Sequence, residues 1–236
     1  MKIQVIIPIL KNEVFEKTTY KELSLAKRKD VELSVVSIEK GPASIESAYD
    51  EELAAPWILE KVMEAEKSGF DAVIIDCMGD PALNAAREIV KIPLIGPCQA
   101  SMAIASTLCE KFSVVTVLKR LLPLFWRKVK EYGFDAKVAS VRSVEVPVLE
   151  LEEKRSEVKA KLLAESKKAV NEDGAGAIIL GCTGMVGMAA ELQEAIGIPV
   201  IDPAVASIKL AECLVDMKIA HSKLEYPEPP AKKRIL

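Results

Sequence analysis

The chain has one histidine, His221, and no CxxC pair, so the Cys/His clusters that hold zinc are missing and no metal centre is expected. Neither GxxxxGK followed by Ser or Thr nor GxGxxG occurs, which leaves a nucleotide cofactor without a motif, and none is expected. No apolar run approaches the roughly 18 residues of a membrane helix. The first residues, MKIQVIIPILKNE, carry charge at once and no small-residue cleavage site, so they read as a strand rather than a signal peptide. Five cysteines, at 77, 98, 109, 182 and 213, are odd in number and irregularly spaced, which argues against a disulfide framework and for a cytoplasmic location. With 32 basic against 35 acidic residues, the net charge of -3 gives no footprint for nucleic acid or an anionic membrane.

What the chain does have is length and an apolar half. At 236 residues, 50% hydrophobic and 28% charged, it has the balance of a soluble globular protein. A chain of that size buries roughly 70–75% of its unfolded surface without covalent staples. Short β-rich runs alternate with segments of helical length: IQVIIP then 14–29, VELSVVSI then 46–68, AVIID then 81–90, and IPLIG then 98–110. The alternation continues through FSVVTV and 120–131, KVASVR and 152–171, AIILG and 187–196, and IPVID and 204–217. Eight strands joined by helices predict an α/β fold with parallel sheets covered on both faces.

The second half restates the first. At an offset of 105, DVELSVVS (30–37) falls on DAKVASVR (135–142), Gly69 on Gly174, and AVIIDC (72–77) on AIILGC (177–182). One residue later in register, IPLIGP (92–97) falls on IPVIDP (198–203). This predicts two pseudo-symmetric lobes, each a four-stranded parallel sheet flanked by helices, facing each other across a cleft. The expected division is residues 1–97 with 204–236 for one lobe and 98–203 for the other.

Under the repeat, Cys77 and Cys182 coincide, each where a strand gives way to a turn. Asp80-Pro81 reads as the cap and first turn of the next helix, which would set Cys77 at a helix N-terminus. The crevice beyond the carboxyl ends of the strands is where open α/β sheets bind ligands. A helix N-terminus favours a thiolate, which would lower each thiol from its ordinary pKa of about 8.5 towards neutrality. Two such groups across a pseudo-twofold axis could take a proton from one face of a carbon and return one to the other. That is racemisation or epimerisation without a cofactor. Backbone N–H groups of Met78, Gly79, Thr183 and Gly184, with the Thr116 hydroxyl, are the expected donors to the resulting enolate. Cys98, Cys109 and Cys213 lie in apolar helical patterns and read as small buried hydrophobes.

In their order and spacing, GPASIESAYDE (41–51), CMGDPALNAARE (77–88), FSVVT (112–116), SVRSVEVPVLELE (140–152), GCTGM (181–185) and IPVIDPAVASIKLAE (198–212) resemble the aspartate/glutamate/hydantoin racemase superfamily, and most closely its hydantoin racemases. The resemblance implies a two-lobed fold, cofactor-independent racemisation of a 5-substituted hydantoin or related amino-acid derivative, and Cys77 and Cys182 as the two acid/bases. Departures touch the substrate side. An Asn-Pro-Asn-Thr type segment is replaced by Ile7-Pro8-Ile9-Leu10, and a glutamate by Gln99. Amino-acid racemisation, another isomerisation of the superfamily, and a non-catalytic two-lobed binder are the competing readings.

Among the remaining residues, Ser44 and Glu46 read as a loop turn and helix cap, and Arg87 with Glu88 as a helix-surface ion pair. Trp57 and Trp126 read as core or interface. His221 beside YPEPP reads as a surface residue in a solvated tail. The apolar stretch LLPLFW (121–126) predicts an exposed face and a homo-oligomer.

Overall fold

The structure, a computed structural model, describes residues 1–234. Its eight strands form two sheets of the same order, β2-β1-β3-β4 and β6-β5-β7-β8, with every pairing parallel. In the first, β1 (Lys2–Leu10) lies between β2 (Glu32–Ile38) and β3 (Ala72–Ile75), with β4 (Leu94–Ile95) outside β3. In the second, β5 (Phe112–Thr116) lies between β6 (Val138–Ser143) and β7 (Ala177–Leu180), with β8 (Val200–Ile201) outside β7. The duplication read from the sequence is therefore a duplication of topology, each half a doubly wound α/β unit.

The strands are buried on both faces, as their unbroken apolar runs require. Val73 and Ile75 of β3 pack with Ala54, Ile58 and Val62 of α2 (Ala48–Lys67). Ala72 and Ile74, pointing the other way, pack with Leu23 of α1 (Glu13–Ala26) and Ile208 of α8 (Pro203–Asp216). That alternation is the two-residue period of a strand. In the second lobe Phe112, Val114, Ile179 and Leu162 share one core with Phe125 of α5 (Leu122–Glu131), where Leu162 comes from α6 (Arg155–Asp173). The coinciding glycines of the repeat serve one purpose: Gly69 (φ 77°) and Gly174 (φ 76°) take the left-handed backbone that turns α2 and α6 back towards β3 and β7.

Several expectations need correction. The Asp80 carboxylate does not cap the helix that follows it. That helix, α3 (Leu83–Ile89), is seven residues long and starts from Ala82 in left-handed backbone without a side-chain cap. Instead Asp80 accepts from the N–H groups of Cys98 and Gln99 at 3.0 Å each, and so caps α4 (Pro97–Leu108). The equivalent helix α8 carries its own cap, Asp202, bonded to the N–H groups of Ala204 and Val205. Where the repeat puts Asp202 in one half it puts Gly96 in the other, and the carboxylate has come from elsewhere in the fold.

Second, the segment after α8 is anchored. His221 Nε2 accepts from the Leu94 N–H at 2.8 Å, and burial, helped by Arg87, pushes the imidazole down to about 4. Third, Arg87 is buried, with Gln99, Leu94 and Tyr226 as partners rather than Glu88. Fourth, most of LLPLFW faces inward: Leu121, Leu124 and Phe125 are buried and only Trp126 is exposed among the large side chains. Cys98 is in the core as expected, whereas Cys213 is exposed on α8. The α2 cap is Ser47, one residue beyond the pair considered.

A Cβ on Gly96 would stand 2.5 Å from the Asp80 Cγ and 2.5 Å from Leu83 Cδ2, closer than real contacts allow. Gly96→Ala is expected to destabilise the protein by about 1–3 kcal/mol, the usual cost of overpacking. A chemical denaturation midpoint indistinguishable from that of wild type would refute the borrowed cap.

Candidate functional site

The carboxyl ends of the two sheets face one cleft of about 700 Å³, counting its open mouth. Cys77 follows β3 and Cys182 follows β7, and both line it. The turns around them match. The Cys77 carbonyl accepts from Asp80 N at 3.0 Å, and the Cys182 carbonyl from Met185 N at 3.1 Å. Gly79 N donates to Cys77 Sγ at 3.4 Å, and the Gly184 backbone does the same for Cys182. These amides are thus spent first on the sulfur atoms, where they stabilise a thiolate.

Of the residues expected around the thiols, Met78, Gly79, Thr183 and Gly184 line the cleft. Thr116 does not: it is fully buried, and its hydroxyl donates to the Gly181 carbonyl at 3.0 Å, fastening β5 to the Cys182 turn from below. Gly181 has to be glycine for that approach, since a Cβ there would lie 2.6 Å from Thr116 Cα. The Thr183 hydroxyl is also engaged, donating to the Asp76 carbonyl at 3.0 Å and so tying one thiol turn to the other. Glu46 joins the lobes a second time by accepting from Val148 N at 2.8 Å. Ser44 does not line the cleft.

The electrostatics reverse one expectation. Burial pushes Cys77 well above the ordinary thiol range, and the nearby Glu51 carboxylate adds to the shift. Burial likewise raises Cys182 to about 12, against the pull of the Gly184 amide. Both are neutral thiols at rest. The expected helix dipoles are lacking: Cys182 is followed by a three-residue 3-10 turn, Thr183–Met185, and α7 (Ala189–Ile196) begins later. Dipole help fades within a turn of a helix end.

Two acids that sequence reasoning passed over complete the site. Asp76, next to Cys77, is 5% exposed and has an oxygen without a hydrogen-bond partner. Burial, then the charge of Asp202, raises it to about 7. Glu51, in the first turn of α2, has an unpartnered Oε1 beside Gly79, and burial raises it to about 7. A signal for Asp76 was present: a carboxylate ending the apolar run AVIID is uncommon in a buried position and marks a candidate site residue. Opposite these acids the walls are apolar, with Ile7, Ile9, Phe15, Leu121, Leu124 and Phe125 among them. No lysine, arginine or histidine lines the cleft. Three or more His, Cys, Asp or Glu placed to hold a metal ion are not found among the described residues.

Two duplicated α/β lobes facing one cleft define the class of scaffold, and comparison with known proteins gives the family. The Asp/Glu/Hydantoin racemase profile matches residues 16–211, and the chain belongs to that racemase family. A hydantoin racemase of Pseudomonas sp. (strain NS671) is 43% identical over 208 residues, which cover 88% of this chain and 84% of that one. Among solved structures, the allantoin racemase from Klebsiella pneumoniae superposes with a TM-score of 0.94 at 35% identity, covering 98% of this chain and 95% of its own. The allantoin racemase from Pseudomonas fluorescens gives a TM-score of 0.95 at 30% identity, with both chains fully covered. The chain is accordingly an isomerase of the racemase type. Among the described residues no helix is long and apolar enough to cross a membrane.

The raised carboxyls make a stability prediction. An acid with a higher pKa folded than unfolded holds its proton more tightly in the folded state. Its contribution is full below the unfolded value and lost as pH rises through the folded one. For Asp76 that window runs from about 4 to about 7. Across it, wild type is expected to lose stability relative to Asp76→Asn, measured by urea unfolding at each pH. Parallel curves would show that Asp76 is ionised without penalty.

Proposed function

We propose that the protein racemises a neutral cyclic ureide, a 5-substituted hydantoin or a close relative such as allantoin, by proton transfer between Cys77 and Cys182 across the cleft. The observation that carries this reading is the lining itself: two thiols in matched turns, apolar walls, the buried Asp76 and half-buried Glu51 carboxyls, and no cationic side chain. A free amino acid or dicarboxylate would bring a carboxylate into a cleft whose lining includes no cationic side chain to pair with it, and burying an unpaired charge is costly. A hydantoin is uncharged, and an apolar C5 side chain would match the apolar wall. The names of the relatives point the same way.

One cysteine, as thiolate, removes the proton from C5. The electron pair passes to the adjacent carbonyl oxygen as an enolate, and the thiol on the opposite face delivers its own proton to C5. The product is the mirror image, with the roles of thiol and thiolate exchanged, and solvent restores the starting state. Gly79 and Gly184 amides hold each sulfur while it is charged. Because the two resting thiols are raised, the single ionisation that starts the cycle becomes easier as pH rises, so kcat/KM is expected to climb from pH 7 to at least pH 9.

Cys77→Ser and Cys182→Ser are each expected to reduce racemisation by about 10²–10⁴-fold, the usual worth of one positioned acid or base. Each single variant should still exchange the C5 proton of one enantiomer with deuterium, the enantiomer facing the remaining thiol. The readout is loss of the C5 proton resonance in deuterated water beside optical rotation. Wild-type racemisation by the double variant would eliminate the two-thiol mechanism. Saturable thermal stabilisation by a hydantoin with no exchange at C5 would instead mark a binder that does not turn over.

A further inference from the structure

A second cavity, of about 560 Å³, is lined by residues of α3, β4, α4 and α8 and of the segment that follows α8. Arg87, 5% exposed, is built into its wall. Its guanidinium meets only neutral groups. Nη2 donates to Gln99 Oε1 at 2.6 Å and to the Leu94 carbonyl at 3.4 Å, and Nη1 donates to the Tyr226 hydroxyl at 3.3 Å. Nε is buried and has no partner.

The surroundings add positive charge and donors, and the acid placed against the lining, Asp80, is already held by the Cys98 and Gln99 N–H groups and the Tyr132 hydroxyl. Lys223 Nζ donates to the carbonyls of Arg87 and Glu88. His221 uses Nε2 to accept from Leu94 N, which leaves the ring proton on Nδ1 as a further donor. Gln99 presents an amide where a carboxylate of the same length would have closed an ion pair. Buried cations in proteins are paired, and a guanidinium left with an unused N–H in a cavity is set up for an oxyanion.

We propose that this cavity is a binding site for a small oxyanion, a carboxylate or phosphate group, with Arg87 as its counter-ion and His221 and Tyr226 closing it from the segment beyond α8. Its lining shares no residue with that of the thiol cleft. Gln99 N is one of the two donors that hold Asp80, three residues beyond Cys77. Nothing in it depends on which molecule the thiols act upon.

His221 is the single histidine of the chain, so its imidazole proton and nitrogen resonances report on this cavity directly. The whole protein, titrated at constant ionic strength with inorganic phosphate in one arm and acetate in another, is expected to show a saturable shift of those resonances in at least one arm. Chloride should produce none. Gln99→Glu supplies Arg87 with an internal carboxylate, and is expected to abolish the shift and raise the unfolding midpoint. Cys77→Ser with Cys182→Ser should leave the shift intact. Absence of saturable movement in both oxyanion arms, equal movement with chloride, or an undiminished shift in Gln99→Glu would each overturn the proposal.

Discussion

The Asp80 carboxylate is the contact on which the rest of the first lobe's edge of the cleft depends. It sits in left-handed backbone (φ 48°), is almost wholly buried, and accepts from Cys98 N, Gln99 N and the Tyr132 hydroxyl. Those bonds join three things that the chain keeps far apart: the turn carrying Cys77, the start of α4, and the second lobe through Tyr132. Burial raises the acid to about 6 even so, with the amide bonds opposing the rise. An acid that costs this much to bury is kept where its bonds fix geometry, and here they fix the turn of a thiol.

Duplication explains why a cleft forms, and departures from it explain why the two halves of that cleft differ. Two sheets of one topology present matched strand ends, so one kind of turn brings two sulfur atoms to the lining of one cleft. Yet α8 is capped by Asp202 from its own N-terminus, while α4 borrows Asp80 across the fold. Cys77 has Glu51 as the charge that most disturbs it, and Cys182 has Asp76. The Thr183 hydroxyl bridges to Asp76, with no counterpart from Met78, which is instead packed into the second lobe's core. Pseudo-symmetry here supplies placement, and local chemistry is set side by side.

Architecture was legible in the sequence because it rests on periodicity and repetition, which a linear chain displays. All eight strands, the parallel pairing and the coincidence of Cys77 with Cys182 follow from patterns within a few dozen residues or from one offset. What escaped depends on distant partners. Asp80-Pro81 looks like a local cap, and only the fold shows its carboxylate turned towards Cys98 and Gln99. Arg87 beside Glu88 looks like a surface pair until the segment with His221 and Tyr226 covers it. LLPLFW looks like an exposed apolar face because its period does not say what stands opposite, and the cleft takes three of its side chains. The thiol environment failed for the same reason: helix proximity can be read from a sequence, but desolvation cannot.

The unequal surroundings of the two thiols meet a constraint from the proposed reaction. Enantiomers with one stereocentre have equal free energies, so the equilibrium constant between them is one, and kcat/KM must be the same in both directions whatever the site looks like. Glu51 beside one sulfur and Asp76 beside the other cannot favour either product at equilibrium. They can only make the enzyme bind one enantiomer more tightly and turn it over more slowly, with kcat and KM moving together. An asymmetric pair of bases is therefore compatible with racemisation, and the asymmetry is free to serve something else: it sets which of the two thiols gives up its proton more readily, and hence which enantiomer meets the first base to form.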